Sequence, residues 1–275
     1  LGIFTFTIIR IFRFFRLTKP AFPVRNIGKR FWLMAGVAFG QTKIFRRPVI
    51  GFLHALVFWG FCVIAFGSIE MVVDGLFGTE RFFKMLGPVY DILTASGDIF
   101  GLLVAISIVI FLARRLFFHI GRFEGIEMKR VSHLDANIAL SMILMLMLSL
   151  LVMNMAYFEG VMTSAMPVAG VYPVSSMLAG MLTGLPQETL RVLYEICWWV
   201  HILMIFTFAN ILPYSKHFHV FMSIPNVFLT RLDPLGKLPN MDSITREVKL
   251  MLDPEAVPAN PPSGSPVERF GVKDA

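Results

Sequence analysis

Runs of about twenty apolar residues recur along the whole chain and constrain its fold more than any other feature. Such a run is what a helix needs to cross a ~30 Å hydrocarbon core. The sequence holds four of them, at about 49–73, 92–118, 136–157 and 192–212. Residues 1–16 (LGIFTFTIIRIFRFFR) open with nine apolar positions and then alternate with Arg10, Arg13 and Arg16. Nine residues are too few to span a bilayer, so this stretch reads as the tail of a truncated first span that begins before Leu1. The alternative is an amphipathic helix lying in the interface. The expectation is an all-α polytopic membrane protein with a five-helix transmembrane bundle. A chain that is 56% hydrophobic and only 16% charged lies well outside the soluble range.

Charge sets the expected orientation. The formal charge of +7 is concentrated in two loops and a tail. Residues 17–48 carry Lys19, Arg25, Lys29, Arg30, Lys43, Arg46 and Arg47, and the part at 31–39 is apolar enough to rest on a membrane surface. The loop at 119–135 adds Arg122, Lys129 and Arg130, whereas 74–88 has only Arg81 and Lys84, and 158–189 has no Lys or Arg. By the positive-inside rule the C-terminus is cytoplasmic and the N-terminus of the completed first span is outside, in the cytoplasmic (inner) membrane. From about residue 225 the chain turns polar and Pro-rich, and 253–275 reads as a linker. The division is therefore a membrane domain at 1–224 and a cytoplasmic tail and linker at 225–275. No basic patch sits on a soluble domain, which excludes a nucleic-acid partner.

Histidines are the residues out of place. His201 lies in the 192–212 run, and Lys216, His217 and His219 follow just past Pro213. His201 and His219 are 18 residues apart. In an unbroken helix that is about five turns, one shared face and roughly 27 Å of rise. His217 would lie about 160° round from His201 and is the poorer partner, and a kink at Pro213 would spoil this phase. His54 stands near the start of the second span, roughly 8 Å into the core; His201 is roughly 18 Å in, and His219 falls somewhat outside it. An imidazole within a span is by default a functional-site hypothesis, the plain alternative being a hydrogen bond between helices. With no Cys, Asp or Glu cluster beside these histidines, haem fits better than zinc. Bis-His ligation needs two imidazoles facing each other, each oriented through its second nitrogen. Arg46, Arg47 and Lys216 could pair with haem propionates, or be plain positive-inside charge. His119 and His133 read as interfacial.

Other features read more simply. Gly60 and Gly67 are seven apart on one face, where they permit close approach of a helix or a macrocycle. Cys62 and Cys197 read as structural thiols, and the methionines of 136–157 as fillers of an irregular core.

The run GQTKIFRRPVIGFLHALVFWGF, followed much later by WWVHILMIFTFANILPYSKHFHVFMSIPNVFL, resembles the membrane cytochrome b domain of iron–sulfur oxidoreductases related to the respiratory nitrate reductase gamma subunit and the heterodisulfide reductase membrane subunit. The likeness extends over the chain and is strongest in spans two and five. It implies a five-helix bundle that carries haem b and exchanges electrons with a membrane quinone (menaquinone or ubiquinone). It also implies a cytoplasmic iron–sulfur or flavin redox partner, with iron–sulfur clusters only in a domain or partner beyond Ala275. Residue by residue it suggests His54 with His219 for the haem nearer the cytoplasm and His201 for an outer one. The nitrate reductase subunit has a second span-two histidine where this chain has Ile64. That leaves either an outer haem with another ligand, for which Met71 is a weak candidate, or a single haem held by two of the three histidines. Quinone chemistry also needs proton carriers. Glu70, Asp74 and Asp98 lie toward the outer ends of their spans, Asp98 in the most apolar setting; the plainer reading of each, which we favour, is an interfacial or helix-capping acid.

The function expected is therefore a membrane b-type cytochrome, the quinone-reacting part of an oxidoreductase. The alternatives are a haem-free anchor for a soluble oxidoreductase and a transporter, and no internal repeat supports the latter.

Overall fold

In a computed structural model, described for residues 2–17, 24–118, 130–164, 167–234, 236 and 241–253, the chain is helical with no strand among those residues. Nine α-helices occur among them: α1 (Gly2–Phe15), α2 (Ile27–Met34), α3 (Pro48–Phe77), α4 (Pro88–Phe117), α5 (Arg130–Thr163), α6 (Pro173–Ala179), α7 (Gln187–Ile211), α8 (His219–Phe228) and α9 (Asp242–Leu252). Proline opens α3, α4 and α6 at the first turn, where its missing N–H costs nothing.

Four helices are long and apolar enough to cross a membrane: Pro48–Phe77, Pro88–Phe117, His133–Thr163 and Gln187–Tyr214. Only 22, 33, 39 and 11% of their apolar windows are buried. Most of their apolar side chains therefore face outward, a surface that lipid solvates and water does not. The expected first span is seen as α1, 14 residues long and about 21 Å at 1.5 Å per residue, short of the hydrocarbon thickness. It lies against α7, with the Thr7 hydroxyl 3.2 Å from the Tyr214 hydroxyl.

The four long helices pack in a ring, α3 on α4, α4 on α5 and α5 on α7, with a slighter contact closing α7 onto α3. Ile64, Val104, Ile108, Leu146 and Met147 form the central core. Gly60 is a helix-packing glycine, since a Cβ there would lie 2.3 Å from Val104 Cγ2. Gly67, by contrast, has nothing within 4 Å of such a Cβ. The apolar stretch at 31–39 is helical, α2 continuing into a wider π turn to Phe39, with Phe31 and Trp32 exposed.

Two stretches depart from the sequence expectation. Residues 158–189, expected to be a loop, contain the last turn of α5 and the short helix α6, which packs on α4 and α5. The histidine helix is broken rather than merely kinked. α7 stops at Ile211, a 3₁₀ turn carries Pro213, and Ser215 is extended at φ −95°, ψ 155° before the chain turns into α8. Proline has no N–H to give the preceding turn, and the extended Ser215 then redirects the chain. The shared face expected of His201 and His219 is therefore lost.

Candidate functional site

One end of the bundle gathers three histidines. The rings of His54, on α3, and His219, the first residue of α8, have centroids 6.1 Å apart and planes tilted by 36°. His217 stands 6.2 Å from His219. Two imidazoles bound on opposite sides of one iron would have ring centres about 6.3 Å apart, from metal–nitrogen bonds of about 2.0–2.1 Å and about 1.1 Å from nitrogen to ring centre. The His54–His219 spacing matches that figure.

Hydrogen bonds assign the free nitrogens. His219 Nδ1 lies 2.9 Å from the Lys216 carbonyl oxygen, which can only accept, so the proton is on Nδ1 and Nε2 keeps its lone pair. This is the way metal-binding histidines are usually oriented. His54 is half-buried, and its Nδ1 is buried without a hydrogen-bond partner among the described residues, so its desolvation is uncompensated by them. His217 instead stands beside the Ser215 hydroxyl at 3.0 Å, and burial holds its imidazole below the ordinary histidine value against the pull of Asp135. Arg46, Arg47 and Lys216 are exposed at this same end, and the Lys216 N–H donates to Asp135 at 3.1 Å. His133 is half-buried early in α5. His119 lies outside the described residues.

His201 is elsewhere. It is 1% exposed, and its Nδ1 lies 3.0 Å from the Leu146 carbonyl and 2.9 Å from the Ser149 hydroxyl. The carbonyl again fixes the proton on Nδ1, leaving Nε2 as the acceptor. No second histidine ring stands against it among the described residues. Met71, its weak sequence-level partner, is buried and lines the same cavity, of about 100 Å³. Cys62 and Cys197 are free and half-buried.

That cavity leads to a cluster the sequence did not announce. Four of the chain's five tyrosines collect around Arg81. Its guanidinium donates to the hydroxyls of Tyr90, at 3.2 Å, and Tyr172, and lies 3.5 Å over the centre of the Tyr157 ring. Tyr194 completes the group, 6.3 Å from Tyr157. Burial pushes the Tyr172 phenol up, while Arg81 draws it down. Tyr172 stays neutral and contributes an O–H. Arg81 holds a left-handed backbone, φ 53°, and the Asp74 carboxylate anchors the loop by accepting from Thr79, Arg81 N–H and Phe82 N–H. Arg81 had been counted as one of two loop charges; it is folded inward as structure.

The carboxylates are largely committed. Asp98, 1% exposed, accepts the N–H groups of Val174 and Ser175, at 2.7 and 2.9 Å, and the Ser175 hydroxyl, so it caps α6. Glu70 accepts from Phe83 N–H at 2.8 Å and from the Tyr90 hydroxyl at 3.3 Å. A residue that sequence reasoning missed is Asn154, an amide within the apolar α5 run. It is 6% exposed, lines the cavity, and has no hydrogen-bond partner among the described residues.

The described residues hold no group of three or more His, Cys, Asp or Glu arranged for a bare metal ion. An iron carried on a macrocycle takes as few as two side chains from a protein, and His54 and His219 are two imidazoles standing side by side.

No family model matches the chain, and no solved structure does. Two curated relatives match over 214 residues. The first is "Probable iron-sulfur-binding oxidoreductase FadF" of Bacillus subtilis (strain 168), 31% identical over 77% of this chain and 28% of that protein. The second is "EtfAB:quinone oxidoreductase" of Syntrophomonas wolfei subsp. wolfei, 22% identical over 76% of this chain and 29% of that protein. The chain thus spans under a third of the length of either. Relatives that are oxidoreductases, together with four apolar helices of spanning length, support a membrane-associated redox protein.

Proposed function

We propose that this chain is a b-type cytochrome domain that passes electrons between a membrane quinone and a cytoplasmic iron–sulfur or flavin partner. In this reading His54 and His219 would hold one haem b. The observation that carries it is their pairing: ring centres 6.1 Å apart, with Nδ1 of His219 tied to a backbone carbonyl so that Nε2 is free. The haem supplies one-electron redox chemistry when bound. The chain's own residues do the rest. α3 and α8 hold the imidazoles at fixed separation, Lys216 fixes one tautomer, and Arg46, Arg47 and Lys216 offer cations to carboxylate substituents at the basic edge.

The remaining parts of the proposal follow from the same picture. The likeness to the nitrate reductase gamma and heterodisulfide reductase membrane subunits suggests a five-span bundle, with α1 in the place of the first. The inward turn of Arg81 leaves the α3–α4 loop with less free positive charge, which favours placing that end outside and the histidine end and the tail at the cytoplasm. The names of the two relatives suggest the quinone and the iron–sulfur partner, and the clusters would lie outside residues 1–275, in a further domain or a separate partner.

A reduced-minus-oxidised visible spectrum of the purified membrane domain, with haem quantified per chain, tests this. One b-type haem per chain is expected, abolished by His54→Ala or His219→Ala and retained in His217→Ala. No haem in protein made with ample haem supply would overturn the reading in favour of a haem-free anchor.

A further inference from the structure

We infer that the cavity beneath the tyrosine cluster is the seat for the head group of the membrane quinone, entered sideways from the bilayer between Gly67 and Gly97. The inference rests on the proposed electron-transfer reading and assigns it a substrate site.

Two buried polar groups of the cavity wall lack a protein partner. Asn154 is 6% exposed and bonds to nothing among the described residues, and His201, 1% exposed, has only its Nδ1 engaged. Both line the cavity, so the Asn154 amide and His201 Nε2 are available to whatever enters. Their free atoms open onto the cavity, so a ligand carrying both an acceptor and a donor can meet them. Glu70 lines the same space and has lone pairs beyond the two bonds it accepts. The opposing walls are apolar, with Met71, Met153 and Trp198 among them. A ligand suited to this space is a flat ring with oxygens at separated positions. A volume of about 100 Å³ is of the order that holds one aromatic ring.

The entrance follows from helix packing. α3 and α4 touch at Gly60 and Val104, where the contact is too close for any added atom. Seven residues further along α3, about 10 Å by helical rise, Gly67 faces open space, as does Gly97 on α4, and both glycines line the cavity. The flanking Phe66 and Ile69 are more than half exposed on an outer surface suited to lipid. A lipid-soluble ring with an isoprenoid tail could leave the tail among the acyl chains and place only its head between the helices. His201 then serves as an acceptor for a quinol hydroxyl, with Nε2 unprotonated, and not as a second iron ligand.

Equilibrium binding of a radiolabelled short-tailed naphthoquinone to the purified domain, with haem counted in the same samples, tests the assignment. About one molecule should bind per chain. Gly67→Phe or Gly97→Phe should weaken binding at least tenfold. Both phenylalanine variants should keep the wild-type haem content, so a folding defect is separable from a blocked entrance. Asn154→Leu and His201→Leu should each weaken binding about tenfold with the haem content unchanged. Unaltered binding in both phenylalanine variants would overturn the site. Loss of a haem in His201→Leu would overturn it too, by making His201 a ligand. Wild-type protein that binds the naphthoquinone but carries no haem would sink the cytochrome reading and leave the quinone site standing.

Discussion

At the Arg81 end of the bundle, a guanidinium, four tyrosines and the carboxylates of Glu70, Asp74 and Asp98 engage one another and the neighbouring backbone, as far as Ser175. At the other end, His54 and His219 face each other with a buried nitrogen of one lacking any partner among the described residues, while arginines and a lysine stand exposed around them. Both ends are rich in polar groups, so polarity alone does not distinguish structure from function. The difference lies in completeness. A network that satisfies its own donors and acceptors stiffens a fold. Buried groups that the protein leaves unsatisfied call for a ligand. Between the two ends, the cavity lined by His201 and Asn154 offers polar atoms with no partner among the described residues, although its rim belongs to the first kind.

The sharpest way to break this comparison is to remove the centre of the complete end. Arg81→Leu deletes hydrogen bonds from a cation to two phenols, a type worth about 1.5–3 kcal/mol each, and leaves the Tyr172 hydroxyl buried. We expect a loss of about 3 kcal/mol in thermal unfolding of the detergent-solubilised domain, with the haem spectrum unchanged. If the spectrum moves with stability intact, the two ends are coupled and the division drawn above fails.

A smaller effect is expected at Asp98. Asp98→Ala strips the acceptor from two N–H groups at the start of α6, at a cost of about 2 kcal/mol. The loss should be local: faster hydrogen exchange at the Val174 and Ser175 amides, and faster proteolysis within 164–186, with the long helices unaltered. Exchange that quickens across α3 and α7 as well would show that Asp98 supports the whole bundle and not a single cap.

Much of this architecture was legible in the sequence, and the rest was hidden for definite physical reasons. Apolar runs locate the four long helices because their length is fixed by the bilayer, and the histidines stand out because imidazole is costly there. Of the ligand candidates, His54 and His219 come together and His201 stands apart. The route there differed, since the helical phase linking His201 to His219 ends at Pro213 and the extended Ser215. The tyrosine cluster was invisible because its members come from the α4, α5 and α7 helices and from the segment before α6, with no spacing to relate them. Arg81 looked like an ordinary loop charge for the same reason. Asp98 reads from its apolar setting as a proton carrier or as an interfacial or helix-capping acid, and which helix it caps was hidden because the amides it accepts from are 76 and 77 residues away. Asn154 had a signal, a lone amide in an apolar run, that its Met-rich surroundings obscured.

The finest test concerns which end His201 belongs to. Its Nδ1 has two oxygens within 3.0 Å, the Ser149 hydroxyl and the Leu146 carbonyl. Ser149→Ala removes the first and leaves the second, so the proton stays on Nδ1 and the ring keeps its orientation. The hydroxyl also donates to the Leu146 carbonyl at 3.0 Å, and losing that bond costs little because a carbonyl in an intact helix already has its own N–H partner. Thermal unfolding should therefore show a loss of about 1 kcal/mol or less, with naphthoquinone affinity lowered no more than threefold and the haem spectrum unmoved. An altered haem spectrum from so slight a change would place His201 against the iron and shift it from the cavity to the ligand-seeking end. A tenfold loss of quinone affinity with the spectrum unchanged would make the Ser149 hydroxyl, rather than the carbonyl, the group that sets the imidazole for its ligand.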